Sequence, residues 1–309
     1  MKLKPIERRL SKRSNAELTQ TLLDFARRDG NIRAVLREGS GANPNALKDE
    51  FSDLDIVFVT RANAPYIKRG LEFAAQFGEI AILQEPDKND DLPRIAGTLP
   101  DVPVPKASNS DVYAYLMQFT DGSRIDLTFN SIDFLRRVPC ESATLVLLDK
   151  DGMFGDLPAP SDCDYWVQRP SAERFRACCN EFWWTVPYVF KALARGQVIH
   201  ALEVLNECVR PEFKKMLSWL AGAKTGYTVN IGKHNTDIGM YVDAEFYDAL
   251  LKSYPHADKD EILAALGRLT SLFPEIAAKV ADALGYEYDH AEGERTLDVI
   301  KLLYGSPTG

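Results

Sequence analysis

The stretch AVLREGSGANPNALKDEFSDLDIVFVT, residues Ala34 to Thr60, decides the fold of the first half of the chain. It begins with a short apolar run, passes Gly39-Ser40, and continues as a loop rich in Gly, Asn and Pro. It ends in DLDIVFV, whose apolar residues after turn-forming ones are typical of a buried strand. The pattern predicts a strand, a glycine-containing loop and a second strand that starts at Asp53.

Two aspartates open this second strand. Side chains two residues apart in a strand point to the same face, so we expect Asp53 and Asp55 to aim together. Neighbouring carboxylates resist ionising together unless a cation lies between them, and a hard divalent ion with oxygen ligands resolves that conflict. The pair therefore predicts a magnesium site. Gly39 lets a backbone approach a phosphate closely, and Ser40 offers a hydroxyl and an N–H to phosphate oxygens.

The order of strand, Gly-Ser, loop and Asp-x-Asp on a second strand resembles the signature of the DNA polymerase β-like nucleotidyltransferases. That resemblance implies a third carboxylate on a later strand, and Asp126 in the β-rich run SRIDLTF provides it. The alternative for Asp53 and Asp55 is an ordinary pair of loop or strand-edge acids, because short motifs of this kind arise by accident in many chains. A third acid in a matching strand favours the metal site.

A closer resemblance extends along most of the chain. It is carried, in the expected order from about Arg33 to Lys233, by the pieces GSGANPNALKDEFSDLDIVF, DGSRIDLT, LLDKDG, CCNEFWW, NECVRPEFKKMLSW and VNIGKH. These pieces are similar to those of the aminoglycoside 6-adenylyltransferases, the enzymes that modify streptomycin. One position departs from the family. Its members usually carry arginine directly after Gly-Ser, where it is placed to contact nucleotide phosphates, and this chain has Gly41.

The resemblance implies an α+β fold with two domains. Residues 1–150 would form a mixed-sheet, polymerase β-like nucleotidyltransferase domain, and residues 151–309 a helical bundle that binds substrate, with the boundary in the turn-rich stretch 151–170. The implied reaction moves AMP from ATP to a streptomycin hydroxyl, releases pyrophosphate and confers antibiotic resistance. Two Mg²⁺ ions would be held by Asp53, Asp55 and Asp126, and the drug would lie in the cleft between the domains.

Further site residues are implied in the helical half. Lys191 is the first candidate for a cation that faces the leaving pyrophosphate, because the family helix after NEFWW carries a lysine there. The alternative for Lys191 is a solvated helix lysine. Weaker candidates for the same role are Arg195, His200, Arg210 and Lys233, and Arg210 has the alternative of a structural ion pair.

The segment CCNEFWW and the residues that follow it suggest a substrate site. Trp184 and Tyr188 lie four residues apart on one helix face and have the geometry to stack on a sugar or guanidinium, although aromatics at helical spacing more often belong to a core. Glu181 is predicted to be the general base, because apolar neighbours would partly bury it and raise its pKa. Its alternatives are a structural acid paired to Arg176 or Arg210, and a contact for a cationic group of the drug.

Composition limits the partners. The formal net charge of −8 disfavours a nucleic-acid partner and suits a cationic small molecule. The five cysteines have no metal-type spacing, which predicts a reduced, cytoplasmic protein. The chain has no run of about 18 apolar residues, so we expect no membrane span. Its basic start lacks the apolar core of a secretory signal. The oligomeric state is open.

Periodicity predicts the remaining elements. These are a helix Ala16–Arg28 with Asn15 as N-cap, a helix Tyr66–Phe77, a surface excursion or lid over Glu85–Ser110, a helix from Ser171 to about Arg195, and a helix Val198–Leu220 bent at Pro211.

Two other functions stay open. One is an adenylyltransferase of the same fold for a different hydroxyl compound or a protein side chain, and the other is a nucleotide-binding regulatory protein with little turnover.

Overall fold

The computed structural model describes residues 12–49, 51–88 and 107–304. The chain divides into two compact units, Met1–Asp164 and Tyr165–Gly309. The basic lead segment and the predicted excursion Glu85–Ser110 lie largely outside the described residues. The functions assigned to residues 1–150 and 151–309, nucleotidyl transfer and substrate binding, stay predictions.

The described residues of the first unit form a mixed sheet of six strands in the order β3-β4-β5-β2-β1-β6. All neighbouring strands are antiparallel except β2 and β5, which run parallel. The predicted α+β class, with a mixed sheet followed by helices, is confirmed. The strands are β1 (Ile32–Arg37), β2 (Asp55–Thr60), β3 (Ile80–Gln84), β4 (Val112–Phe119), β5 (Arg124–Ser131) and β6 (Leu145–Asp149), and the helices of this unit are α1 (Asn15–Arg28), α2 (Gly39–Ala42), α3 (Leu71–Ala74) and α4 (Ile132–Leu135).

The two faces of the sheet are covered unequally. One face carries the main core, in which Ile56 and Phe58 of β2 pack with Leu127 of β5 and with apolar residues of α1 and the segment around α3. The opposite face has a smaller cluster that includes Val57 and Val59. Because side chains alternate along a strand, Asp55 shares this less covered face with Val57. The alternation therefore holds the Asp55 carboxylate away from the main core.

Helix α1 begins one residue earlier than the sequence predicts. Ser14, not Asn15, is the N-cap: its side chain accepts a hydrogen bond from the Glu17 N–H, and Glu17 in turn accepts from the Ser14 N–H. This reciprocal capping box satisfies two backbone donors at once. Asn15 instead donates its side-chain amide to the Ser52 carbonyl oxygen, 3.1 Å away.

The predicted helix Tyr66–Phe77 is wrong over its first half. Turns occupy that half, and only α3 and a 3₁₀ turn at Ala75–Phe77 follow. The backbone N–H of Lys68 donates to the Tyr113 hydroxyl and the N–H of Arg69 to the Tyr115 hydroxyl. These tertiary acceptors replace the carbonyls that a helix would supply, so the segment packs on β4 without helical geometry.

The described part of the second unit is helical. The predicted helix after the Ser171 N-cap is confirmed. The predicted helix Val198–Leu220 is interrupted by a π-helical turn, Leu205–Val209, and Pro211 sits in the first turn of the helix that follows. The bend expected at Pro211 stays a prediction. The helices are α5 (Ala172–Ala194), α6 (Val198–Val204), α7 (Arg210–Thr225), α8 (Ala244–Leu251), α9 (Lys259–Leu284) and α10 (His290–Tyr304).

The helices of the second unit enclose an apolar core of their own. Helix α5 supplies Phe182 and Trp183 to it, and Phe182 stacks on Phe273 of α9 with 3.7 Å between ring centroids. No helix in the described residues is long and apolar enough to cross a membrane. All five cysteines are free thiols.

Candidate active site

The turn after β1 brings a glycine against a carboxylate. Gly39 begins α2 with φ +63°, in the left-handed region that favours glycine. A Cβ atom at this position would lie 3.0 Å from Oδ2 of Asp55, so the site also lacks room for a side chain. Ser40 follows it and is exposed. The roles of Gly39 and Ser40 in nucleotide binding stay predictions.

Strand register brings two of the three aspartates together. Asp55 is the direct partner of Asp126 in the parallel pair of β2 and β5. The N–H of Asp126 donates to the carbonyl oxygen of Leu54, 3.0 Å away. Asp53 lies before β2, which begins only at Asp55. The prediction that β2 starts at Asp53 is therefore wrong, although Asp53 reaches the same group of charges through Arg124.

Arg124 is a site residue that the sequence interpretation missed. Its Nε and Nη2 donate to the two carboxylate oxygens of Asp126, each at 2.8 Å, and its Nη1 lies 3.5 Å from Oδ2 of Asp53. A guanidinium that bridges two carboxylates holds them close despite their like charges. The available signal was spacing, since Arg124 lies two residues before Asp126 on one strand and shares its face.

Two carboxyl groups at this site have raised pKa values. Burial raises the pKa of Asp55 to about 6, the charges of Asp126 and Asp53 contribute, and Arg124 and Arg37 oppose the rise. Burial, followed by the charges of Glu141 and Asp55, raises the pKa of Glu38 to about 7. Glu38 and Glu141 were also missed, although Glu38 directly precedes Gly39. The site holds more negative charge than its two arginines neutralise.

The carboxylates at this site fit a hard divalent cation. Asp55 and Asp126 are oxygen donors held side by side, and the raised pKa of Asp55 indicates negative charge in need of a counter-ion. Within residues 12–49, 51–88 and 107–304, however, no three metal-type side chains converge into a ready-made site. The Arg124 guanidinium, bonded to Asp126 and near Asp53, supplies positive charge to these carboxylates.

The raised pKa values predict how stability depends on pH. An acid whose pKa is higher folded than unfolded binds more protons in the folded state, so its contribution favours folding at low pH and is lost as pH rises through the folded value. We expect the metal-free protein to lose roughly 1–3 kcal/mol of unfolding free energy between about pH 5.5 and about pH 8. Urea denaturation across this range measures it, and Asp55→Asn should flatten the slope. A flat or rising profile for the unmodified chain would contradict the prediction.

The predicted substrate residues of α5 share one exposed face. Trp184 is 62% and Tyr188 40% exposed, and their rings meet edge to face with centroids 6.4 Å apart. The alternative that both belong to the core is wrong, since Trp183 alone of the tryptophan pair is buried. Lys191 lies over the Tyr188 ring, with Nζ 5.9 Å from the centroid. Glu181 lies on the same exposed side of the helix.

The expected burial of Glu181 is wrong, because the residue is exposed. The alternative of a structural ion pair with Arg210 is also wrong. Arg210 is buried, donates to Asn206 and to Ser253, and lies 3.9 Å from the centroid of the Tyr254 ring. The role of Glu181 stays a prediction.

Among the described residues of the helical unit, cations line at least two cavities. One, of about 340 Å³, is lined by Tyr188, Lys191, Ala192, Arg195, Gln197, His200 and Val204. The other, of about 520 Å³, is lined by Asn206, Arg210, Pro211, Lys214, Lys215, Ser218, His234, Asn235 and Tyr254. Three cation candidates from the sequence, Lys191, Arg195 and His200, therefore meet in the first cavity. Lys214 and His234, in the second, were missed.

Known proteins resemble this chain over nearly its whole length. The family model for streptomycin adenylyltransferase matches residues 12–302. An aminoglycoside 6-adenylyltransferase from Campylobacter jejuni is 33% identical over 277 residues, covering 89% of this chain and 91% of that protein. One from Bacillus subtilis (strain 168) is 33% identical over 287 residues, covering 91% and 95%. A crystal structure of an aminoglycoside 6-adenyltransferase from Bacillus subtilis covers 95% of this chain and 100% of its own, with 28% identity and a TM-score of 0.44.

Proposed function

The chain belongs to the streptomycin adenylyltransferase family, and from that premise we propose the reaction that its residues carry out. It is a nucleotidyltransferase, an aminoglycoside adenylyltransferase. We propose MgATP as the nucleotide substrate and streptomycin as the first acceptor to test. A drug hydroxyl oxygen forms a bond to the α-phosphorus of ATP, the bond from that phosphorus to the β-phosphate oxygen breaks, and pyrophosphate leaves. The hydroxyl proton passes to a base.

The pairing of Asp55 with Asp126 is the observation that carries this proposal. Two carboxylates at one register position, one of them with a raised pKa, form a site that a divalent cation would stabilise. Asp53, Asp55 and Asp126 would hold Mg²⁺, with two ions expected. Bound there, the metal supplies charge stabilisation for the transferring phosphoryl group. Arg124 keeps Asp126 and Asp53 close to each other before metal binds.

The turn at Gly39-Ser40 would orient the nucleotide. Gly39 places no side chain between its backbone and Asp55. Because both neighbours of the exposed Ser40 are glycines, no neighbouring side chain covers its hydroxyl or its N–H. We assign them to the β- and γ-phosphates. Lys191, with Arg195 and His200 beside it in one cavity, is proposed as the cation for the leaving pyrophosphate. Phosphoryl transfer depends mainly on such positioning and charge neutralisation.

The exposed face of α5 suits a cationic drug. Trp184 and Tyr188 present aromatic surface that stacks on a sugar or a guanidinium, and Glu181 presents a carboxylate on the same side. We propose Glu181 as the general base and drug contact. Antibiotic resistance and a cytoplasmic location follow from this proposal as predictions.

A pyrophosphate-release assay tests the function. Purified protein with MgATP should release pyrophosphate only when an accepted aminoglycoside is present, and we expect streptomycin to give the strongest signal in a small panel. Mass spectrometry of the drug should show the added AMP. The matched control omits the drug, which reports ATP hydrolysis alone.

Two other outcomes would change the assignment. Release with an uncharged hydroxyl compound or a protein acceptor, and none with aminoglycosides, would indicate a different adenylyltransferase of this fold. Tight ATP binding with no release under any condition would indicate a regulatory nucleotide-binding protein.

A further inference from the structure

The residue that faces Gly41 is an arginine from the preceding strand. Arg37 is the last residue of β1, and a Cβ atom built on Gly41 would lie 2.4 Å from its Nε, 2.8 Å from its Nη2 and 2.9 Å from its Cζ. The guanidinium therefore occupies the volume that a side chain at position 41 would need. Gly41 has no positive φ, so its backbone does not require glycine. A side chain at position 41 would instead require the Arg37 guanidinium, the far end of a flexible side chain, to move.

Arg37 has donors without acceptors. Its Nε is buried and has no hydrogen-bond partner, which is costly for a charged group. In the described part of the chain it forms no ion pair, whereas Arg124 is already bonded to Asp126. Arg37 is close enough to Asp55 to act on its charge. The group is thus a cation whose charge reaches Asp55 and whose Nε has no hydrogen-bond partner.

This arrangement fits an anionic ligand in addition to a metal ion. The carboxylates around Asp55 suit a metal, and an unpaired guanidinium suits a phosphate, which it binds with parallel N–H···O bonds. ATP brings both requirements together as a metal-bound triphosphate. We propose that Arg37 binds a phosphate of the nucleotide, from the place that a side chain at position 41 would occupy, and that Gly41 is glycine in this chain to make room for it. This inference rests on the proposed function and names a residue of the same site.

Nucleotide binding to Arg37 variants tests the inference. Arg37→Leu should raise the KM for ATP by about 10- to 100-fold, the effect of losing a charge-assisted hydrogen bond pair, with little change in the KM for the drug. The rise in Tm on adding ATP should shrink as well. Arg33→Met is the matched control: it removes an arginine of the same strand that pairs with Asp151. It should leave the KM for ATP unchanged.

Variants at position 41 provide an independent test. Gly41→Ala keeps Arg37 but forces its guanidinium aside, so it should weaken ATP binding while the metal-free protein stays folded. In the double variant Arg37→Leu, Gly41→Arg, the new arginine enters the vacated volume and should restore most of the lost ATP affinity.

An unchanged KM and an unchanged Tm rise with ATP in Arg37→Leu would overturn the inference, and would assign Arg37 only to the charge balance of Asp55. If Arg37→Leu does not fold, Gly41→Ala decides by the same two measurements. Absence of aminoglycoside-dependent turnover in the unmodified chain would refute the proposed function instead, and the Tm measurements with ATP would still test Arg37.

Discussion

Asp126→Asn should lower turnover by roughly 10³-fold or more, because it removes the negative charge of a carboxylate proposed to bind Mg²⁺. Asp55→Asn should do the same to turnover. The two variants should differ in their effect on the stability of the metal-free protein. Burial and then the charges of Asp126 and Asp53 raise the pKa of Asp55, so its replacement removes a buried charge, relieves repulsion and should increase stability. Asp126 accepts two hydrogen bonds from Arg124, so its replacement should give no such gain.

The measurements are single-turnover kinetics with MgATP and urea denaturation without metal. Asp133→Asn is the control, since Asp133 is an exposed aspartate of the same unit paired to Arg136. It should retain normal turnover. Near-normal turnover in Asp126→Asn would refute the assignment of the carboxylates to metal binding.

Glu181→Gln should lower kcat by about 10²- to 10⁴-fold if Glu181 accepts the proton of the attacking hydroxyl. Glutamine preserves size and hydrogen bonding but cannot take the proton, so the KM for ATP should stay the same. Its exposure in the free protein makes Glu181 accessible to a bound drug, and the apolar environment first expected for it is absent.

The kinetic pattern separates the roles of Glu181. A normal kcat with a raised KM for the drug would make it a substrate contact rather than a base. Glu173→Gln is the matched control, because Glu173 is an exposed glutamate in the first turn of the same helix. Glu173→Gln should leave both kcat and the KM for the drug unchanged. If both variants behaved like the unmodified chain, Glu181 would have no part in catalysis.

Local chemistry was sufficient for much of the fold. Alternation around Asp55 predicted which residues of β2 enter the core, because side-chain direction in a strand follows from the backbone alone. The Ser171 N-cap was predictable for the same kind of reason, since a cap depends on residues within one turn. The conformation of the segment after Pro65 was not predictable in this way, because its backbone donors bond to tyrosines of β4 that lie 45 and 46 residues later in the chain.

Sequence motifs were enough to indicate the family, the mixed sheet it implies, and three aspartates, Asp53, Asp55 and Asp126, on elements that can meet. The packed fold was needed to show that Asp55 and Asp126 share a register position, that Arg124 bridges Asp126 to Asp53, and that Arg37 lies against Gly41. It also decided that Trp184 is exposed while Trp183 is buried. The difference comes from the distance along the chain over which each kind of interaction acts. Periodicity and caps act within a few residues, whereas these contacts depend on which strands and helices pack together.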